Sequence, residues 1–166
     1  PVYIPIPFID RSINNIEIPV TWQIPTLILL TLMYHKRVVY RALSLYIFLG
    51  LFILPVFHEG GSIGYLLSPN FGYLLGMYPL IKIIDNLNNR DRLCARNFLK
   101  NGFTAISAMH ITGIIYNFIQ IIFYREYNIF LYNLGKYSIG KIGYHFFMLF
   151  PLLLLIKPIK SLKHSK

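Results

Sequence analysis

Polar side chains set inside apolar runs are the first candidates for chemistry, because removing them from water costs free energy unless they meet a partner or a ligand. His110, Gly113, Asn117 and Gln120 recur at spacings of three, four and three. At about 100° per residue they share one helical face, while Ile114, Ile115, Ile119 and Ile121 fill much of the rest. Such a stripe lines a ligand pathway, or it joins helices through hydrogen bonds worth about 0.6 kcal/mol each. Trp22 and Gln23 stand between Pro19 and Pro25 at the start of an apolar run. They suit an interface anchor or a binding wall, with the indole packed on a flat ring and the amide supplying both a donor and an acceptor.

The densest pattern runs from Leu54-Pro55-Val56-Phe57 through His58, Glu59, Gly60 and Gly61 to Pro69-Asn70-Phe71-Gly72-Tyr73-Leu74-Leu75-Gly76. Its glycines permit tight turns and close approach of helix or ligand, and Pro55 and Pro69 set chain direction. Interrupted spans of this kind often form binding sites in transporters. His58 and Glu59 are adjacent, which suits a solvated turn better than a metal site, so no metal and no catalytic group is assigned. Lys157, just beyond the last apolar run, can extend to lipid headgroups.

The elements that must hold these groups follow from composition. Of 166 residues, 55 % are hydrophobic and only 13 % charged, against roughly 25 % charged in an ordinary soluble domain. That argues against a soluble enzyme and against a disordered tail. The net charge of +10 would suggest nucleic acid in a soluble chain. Here the basic residues fall between apolar runs, so a lipid bilayer is the expected partner and nucleic acid is not. Cys94 stands alone, which excludes a disulfide scaffold within the chain.

Five apolar stretches can be marked, Ile18–Tyr34, Val38–Phe57, Phe71–Ile84, Gly102–Tyr124 and Ile142–Ile156. A helix needs about 20 apolar residues to cross a bilayer, so the third and fifth are short unless they tilt or borrow neighbours. The third can borrow Gly64 to Leu67 across Ser68-Pro69-Asn70, an interruption whose backbone must be shielded by protein or line a cavity. Counting Lys and Arg on alternate sides gives 12 against 4, which puts the richer side in the cytoplasm. With five spans the N-terminus then lies outside, and the chain starts at Pro1 without Met. The expectation is an all-α integral membrane bundle, a single domain over residues 1–166, with six spans in the intact protein and the first one missing here. Residues 85–101 are expected as a basic cytoplasmic loop or surface helix.

The order of motifs from Glu17-Ile18-Pro19-Val20-Thr21-Trp22-Gln23 through Gly50, Leu51 and Leu54-Pro55-Val56-Phe57 to Pro69-Asn70-Phe71-Gly72-Tyr73-Leu74-Leu75-Gly76 resembles the BioY family. These are the biotin-binding substrate components of energy-coupling-factor transporters. The first half of the chain carries the resemblance, and the second half shares mainly the layout. The resemblance implies six membrane helices, biotin uptake across the cell membrane by a multi-pass protein, a transmembrane coupling protein and two ATPase subunits as partners, and no cofactor. No GxxxxGK[ST] phosphate loop occurs, so ATP hydrolysis would belong to those partners. It further implies that Gln23, Asn70 and Asn117 meet the ureido group, that Trp22 and Tyr73 enclose the ring, and that Lys157 pairs with the carboxylate. Many members carry an Asp three residues before that Lys, but here the position is Leu154. Either Asn70, Tyr73, His110 or Asn117 then serves the polar head, with Gly60 and Gly61 in a lid above it, or affinity or specificity differs from that of the usual member. Alternatives are another vitamin as substrate, a scaffold, or an intramembrane hydrolase built on Asp10, Asp85 and Asp91. None of those acids sits centrally in a span.

Overall fold

The computed structural model describes residues 2–6, 14–18, 22–57, 61–88, 93–124 and 127–164. Two strands, β1 (Val2–Ile6) and β2 (Asn14–Ile18), pair antiparallel with Val2 opposite Ile18 and Ile4 opposite Ile16. The hairpin adds a strand pair to the purely helical expectation. β-Branched residues facing one another across a ladder favour it.

From Gln23 onward the described chain is helical. Helix α1 (Gln23–Met33) occupies only part of the first apolar stretch. Pro25 explains the late start. It has no N–H to donate to a carbonyl four residues earlier, and it is tolerated in a first turn, where that donor is unused. Helix α2 (Lys36–Phe52) follows after a short turn. A 3₁₀ turn over Ile63–Leu67 leads into α3 (Pro69–Leu75), with Pro69 in its first turn and the Ser68 hydroxyl accepting from the Asn70 N–H at 3.3 Å. Helix α4 (Met77–Asp85) continues past Gly76. Helix α5 (Ala95–Tyr124) is the long axis of the bundle, about 45 Å at 1.5 Å per residue. Its segment Ala95–Ile122 is the one helix among the described residues both long and apolar enough to cross a bilayer by itself. The polar stretch expected as a loop or surface helix thus supplies, from Ala95, the first turns of α5.

The last 38 described residues carry the largest departure from expectation. Residues 125–141 read as a charged gap, yet α6 (Tyr127–Asn133), a π-helical segment over Leu134–Ile139, and α7 (Gly140–Phe147) run on without a loop between them. Helices α8 (Leu149–Leu153) and α9 (Ile156–His164) complete the chain.

The core lies where α3 and α4 cross α5, around Phe71, Leu74, Leu80, Ile81, Ile84, Phe98, Ile106 and Met109, all buried. Small residues set the approach: a Cβ at Gly76 would stand 2.5 Å from the Met109 carbonyl oxygen. At one end of the bundle Lys36 pairs with Asp85 at 3.1 Å, and Asn88 donates to both Asp85 and the Tyr34 carbonyl. The basic starts of α2 and α5 were expected on one side, and this clamp joins the α1–α2 turn to the end of α4. Facing outward are Val38, Leu45, Phe48 and Phe52 of α2, Ile111, Ile115, Phe118 and Ile122 of α5, and Phe147, Phe150 and Leu154 beyond them. Surface this apolar is costly in water and suits hydrocarbon, as expected of an integral membrane helical bundle.

Candidate binding site

A cavity of about 80 Å³ opens between α1, α2, α3, α5 and the π-helical segment. Helix α3 and its extension present Asn70, Tyr73, Leu74 and Met77 to it, residues whose spacing of three, one and three keeps them on one face. Gln23 and Ile24 come from the start of α1, Tyr46 from α2, and Phe57 and Tyr65 from the link that follows α2. Met109 of α5 and Tyr137, Lys141 and His145 from the last helical run close the other side. Ligand pockets usually measure some 300–1,000 Å³. A ligand of vitamin size therefore enters only as lining side chains swing outward.

One wall is aromatic. Phe57 and Tyr65 stack with ring centroids 4.3 Å apart, and Tyr46 meets Phe57 edge-on at 5.5 Å. The Phe57 ring sits against Gly50, where any side chain would overlap it. Gly61 is equally confined, since a Cβ there would lie 2.5 Å from the Gly50 carbonyl oxygen and 2.6 Å from that of Leu54. The Gly-rich link is thus pinned to α2 at its far end. His58, Glu59 and Gly60 lie outside the described residues.

The opposite wall is polar and tightly bonded. His145 Nδ1 and His110 Nε2 are 2.9 Å apart, His110 Nδ1 meets Ser138 Oγ at 3.3 Å, and Ser138 Oγ meets the Tyr73 hydroxyl at 2.7 Å. His110 is only 2 % exposed and His145 6 %. Tyr73 packs its ring on Gly113, where a Cβ would overlap it. Lys141 brings the cation, its Nζ 5.1 Å from the centre of the Tyr137 ring. Gln23 Nε2 donates to the Tyr46 hydroxyl at 2.9 Å across the mouth between α1 and α2.

Of the residues singled out from sequence, Gln23, Asn70 and Tyr73 line the cavity together, and His110 sits one hydrogen bond behind it. Asn117 is buried along the same face of α5, its Nδ2 donating to the Gly113 carbonyl at 3.0 Å and its Oδ1 without a partner among the described residues. Trp22 is 65 % exposed and borders a separate apolar groove between α1 and α2 with Thr26, Leu30, Val39 and Leu43. Gly61 borders a second hollow with Gly50, Leu54 and Pro55. Leu154 and Lys157, expected from the resemblance at the acidic and basic positions, are both exposed and line no part of the cavity. Asp85 is committed to Lys36 and Asn88 at the bundle end, while Asp10 and Asp91 lie outside the described residues.

Sequence reasoning missed Lys141, His145, Ser138 and Tyr137. A signal is present, since 137, 141 and 145 are four apart, but Tyr137 and Lys141 fall in the gap before the fifth apolar stretch and His145 falls inside that stretch, so the spacing straddles the boundary. No group of three or more His, Cys, Asp or Glu that could hold a metal occurs among the described residues.

The model of the BioY family matches residues 2–154. A probable biotin transporter BioY from Lysinibacillus sphaericus is 42 % identical over 59 residues, covering 36 % of this chain and 30 % of that relative's length. No solved structure matches. Because the family match runs through nearly the whole chain, from the hairpin to just past α8, the chain belongs to the BioY family.

Proposed function

We propose that the chain captures biotin at this cavity as the substrate-binding part of a membrane transporter. The observation that carries the reading is the lining itself: amides, an aromatic wall and one lysine converge on a single cavity in a BioY-family chain. Biotin has matching parts, a ureido group with two N–H donors and a carbonyl, an apolar thioether ring, and an acyl chain ending in carboxylate. Asn70 and Gln23 meet the ureido group, Phe57, Tyr65 and Tyr46 enclose the ring, and the Lys141 ammonium pairs with the carboxylate. Lys141 takes the part expected of Lys157, which is exposed on α9.

The protein works as a multi-pass protein of the cell membrane with its more basic side in the cytoplasm, in keeping with the charge asymmetry. Biotin enters from the outer face, is covered by the glycine-rich link, and is released inward. The family resemblance supports a transmembrane coupling protein and two ATPase subunits as partners. No bond in the vitamin is made or broken.

The test is radiolabelled biotin binding to the full chain in lipid nanodiscs. Saturable binding at one site per chain is expected, weakened at least tenfold by Asn70→Ala, the loss of about 1.4 kcal/mol that one good hydrogen bond supplies. Absence of saturation up to millimolar biotin overturns the reading.

A further inference from the structure

Two residues that line the cavity, His145 and Tyr73, are joined through the protein by an unbroken chain of side chains, His145 to His110 to Ser138 to Tyr73. Both ends line the cavity and both inner members are buried. A bond between two neutral imidazoles needs one N–H and one lone pair, so fixing the proton at one link fixes it along the row. If His110 Nε2 carries the proton and donates to His145 Nδ1, then His145 offers its Nε2–H to the cavity. His110 Nδ1 is then a lone pair, Ser138 donates to it, and Tyr73 donates to Ser138, leaving the Tyr73 oxygen as an acceptor. In the reverse sense His145 Nε2 becomes the acceptor, His110 Nδ1–H donates to Ser138, Ser138 donates to Tyr73, and the Tyr73 hydroxyl, which also neighbours the Asn117 amide, turns its proton away from Ser138. In each sense one end gives and the other receives.

We propose that this row makes His145 and Tyr73 a coupled donor and acceptor, so that the site selects a ligand head bearing an N–H beside a carbonyl. A cyclic urea, lactam or imide has that pattern, while a purely apolar ring or one with acceptors alone leaves one end unpaired. His145 and Tyr73 are contacts of the head in addition to Asn70 and Gln23, and His110 and Ser138 are positioning residues that act through them. The proposal rests on the biotin reading, and it adds which residues discriminate the head of the ligand and why they must act together.

The full chain in lipid nanodiscs serves for the test. Biotin is expected to bind at least a hundredfold tighter than lipoate, which has a sulfur ring and an acyl carboxylate but no N–H and carbonyl pair. Ser138→Ala, which breaks the row, is expected to weaken biotin at least tenfold, and Ser138→Thr, which keeps the hydroxyl, to stay within threefold of the unaltered chain. Equal affinity for the two ligands, or equal behaviour of the two variants, overturns the proposal. If a variant fails to fold, the unaltered chain labelled with ¹⁵N-histidine decides: a scalar coupling between His110 Nε2 and His145 Nδ1 is expected without any ligand, and its absence overturns the proposal. A chain that shows the coupling yet binds no biotin overturns the assignment of biotin, and with it the ligand class named here.

Discussion

Gln120 Nε2 donates to the Leu67 carbonyl at 2.9 Å, joining the far end of α5 to the turn that precedes α3. The Tyr116 hydroxyl does the same for the Leu66 carbonyl. Helical bonding is interrupted at Ser68-Pro69, and these two side chains occupy carbonyls that an apolar environment would leave costly. Gln120→Leu should therefore destabilise the bundle by about 1–3 kcal/mol. The apparent Tm of the detergent-solubilised chain should fall by roughly 3–10 °C. An unchanged melting curve would show that the Leu67 carbonyl finds another donor.

Two lysines, Lys141 in the cavity lining and Lys157 on α9, are candidates for pairing with a ligand carboxylate. Lys141→Gln should weaken biotin at least tenfold and leave a neutral biotin amide within about threefold, because only the acid uses the charge. Lys157→Gln should spare both, since that residue is exposed on α9. Affinity measurements on the four combinations decide, and a loss confined to Lys157→Gln would return the role to the residue suggested by family resemblance.

Gly113 is the floor beneath the Tyr73 ring. Gly113→Ala would push that ring into the cavity or off its bond to Ser138, at a cost of about 1–3 kcal/mol. Biotin affinity should fall together with Tm. Retention of both would mean that α3 shifts away from α5 at no expense.

The link after α2 is expected to cover the bound vitamin. Ser62 is exposed beside the pinned Gly61, so Ser62→Cys in a Cys94→Ser background offers a reporter. Its rate of maleimide labelling should drop severalfold with saturating biotin. Equal rates with and without the vitamin would remove the lid from the account.

Asp85 holds Lys36 and Asn88 at the bundle end. Asp85→Asn should cost no more than about 1 kcal/mol, as a partly exposed ion pair does, and leave biotin binding within twofold. Loss of a hydrolytic activity in that variant would instead favour the enzyme reading. Calorimetric melting and a ligand titration on the same sample report both.

What could be read from the sequence followed local rules. The shared face of His110, Gly113, Asn117 and Gln120 needs only a regular helix, and α5 supplies one; the four residues nonetheless divide their tasks among a histidine pair, a ring seat, a backbone carbonyl and a broken turn. Ser68-Pro69-Asn70 read as an interruption of the third span, and the structure breaks there, with α3 beginning at Pro69. Tyr137, Ser138 and Lys141 were hidden for a physical reason. Polar residues lower the apolar signal between 125 and 141, and the π-helical turn inserts an extra residue, which shifts the phase by about 100° and breaks the 3.6-residue rhythm that periodicity relies on. Trp22 shows the opposite error. Its type suits a ring-binding wall, but α1 starts so close to it that the indole falls outside the cavity.

That wide turn over Leu134–Ile139 also makes the last helical run sensitive to register. Excising Gly135, whose surroundings are open, would let the segment wind evenly, and Tyr137, Ser138, Lys141 and His145 would no longer keep the same bearing relative to α6. A single deletion at a residue with no side chain would then dismantle the cation, the serine and the histidine in one stroke, while a substitution at the same glycine would pass almost unnoticed.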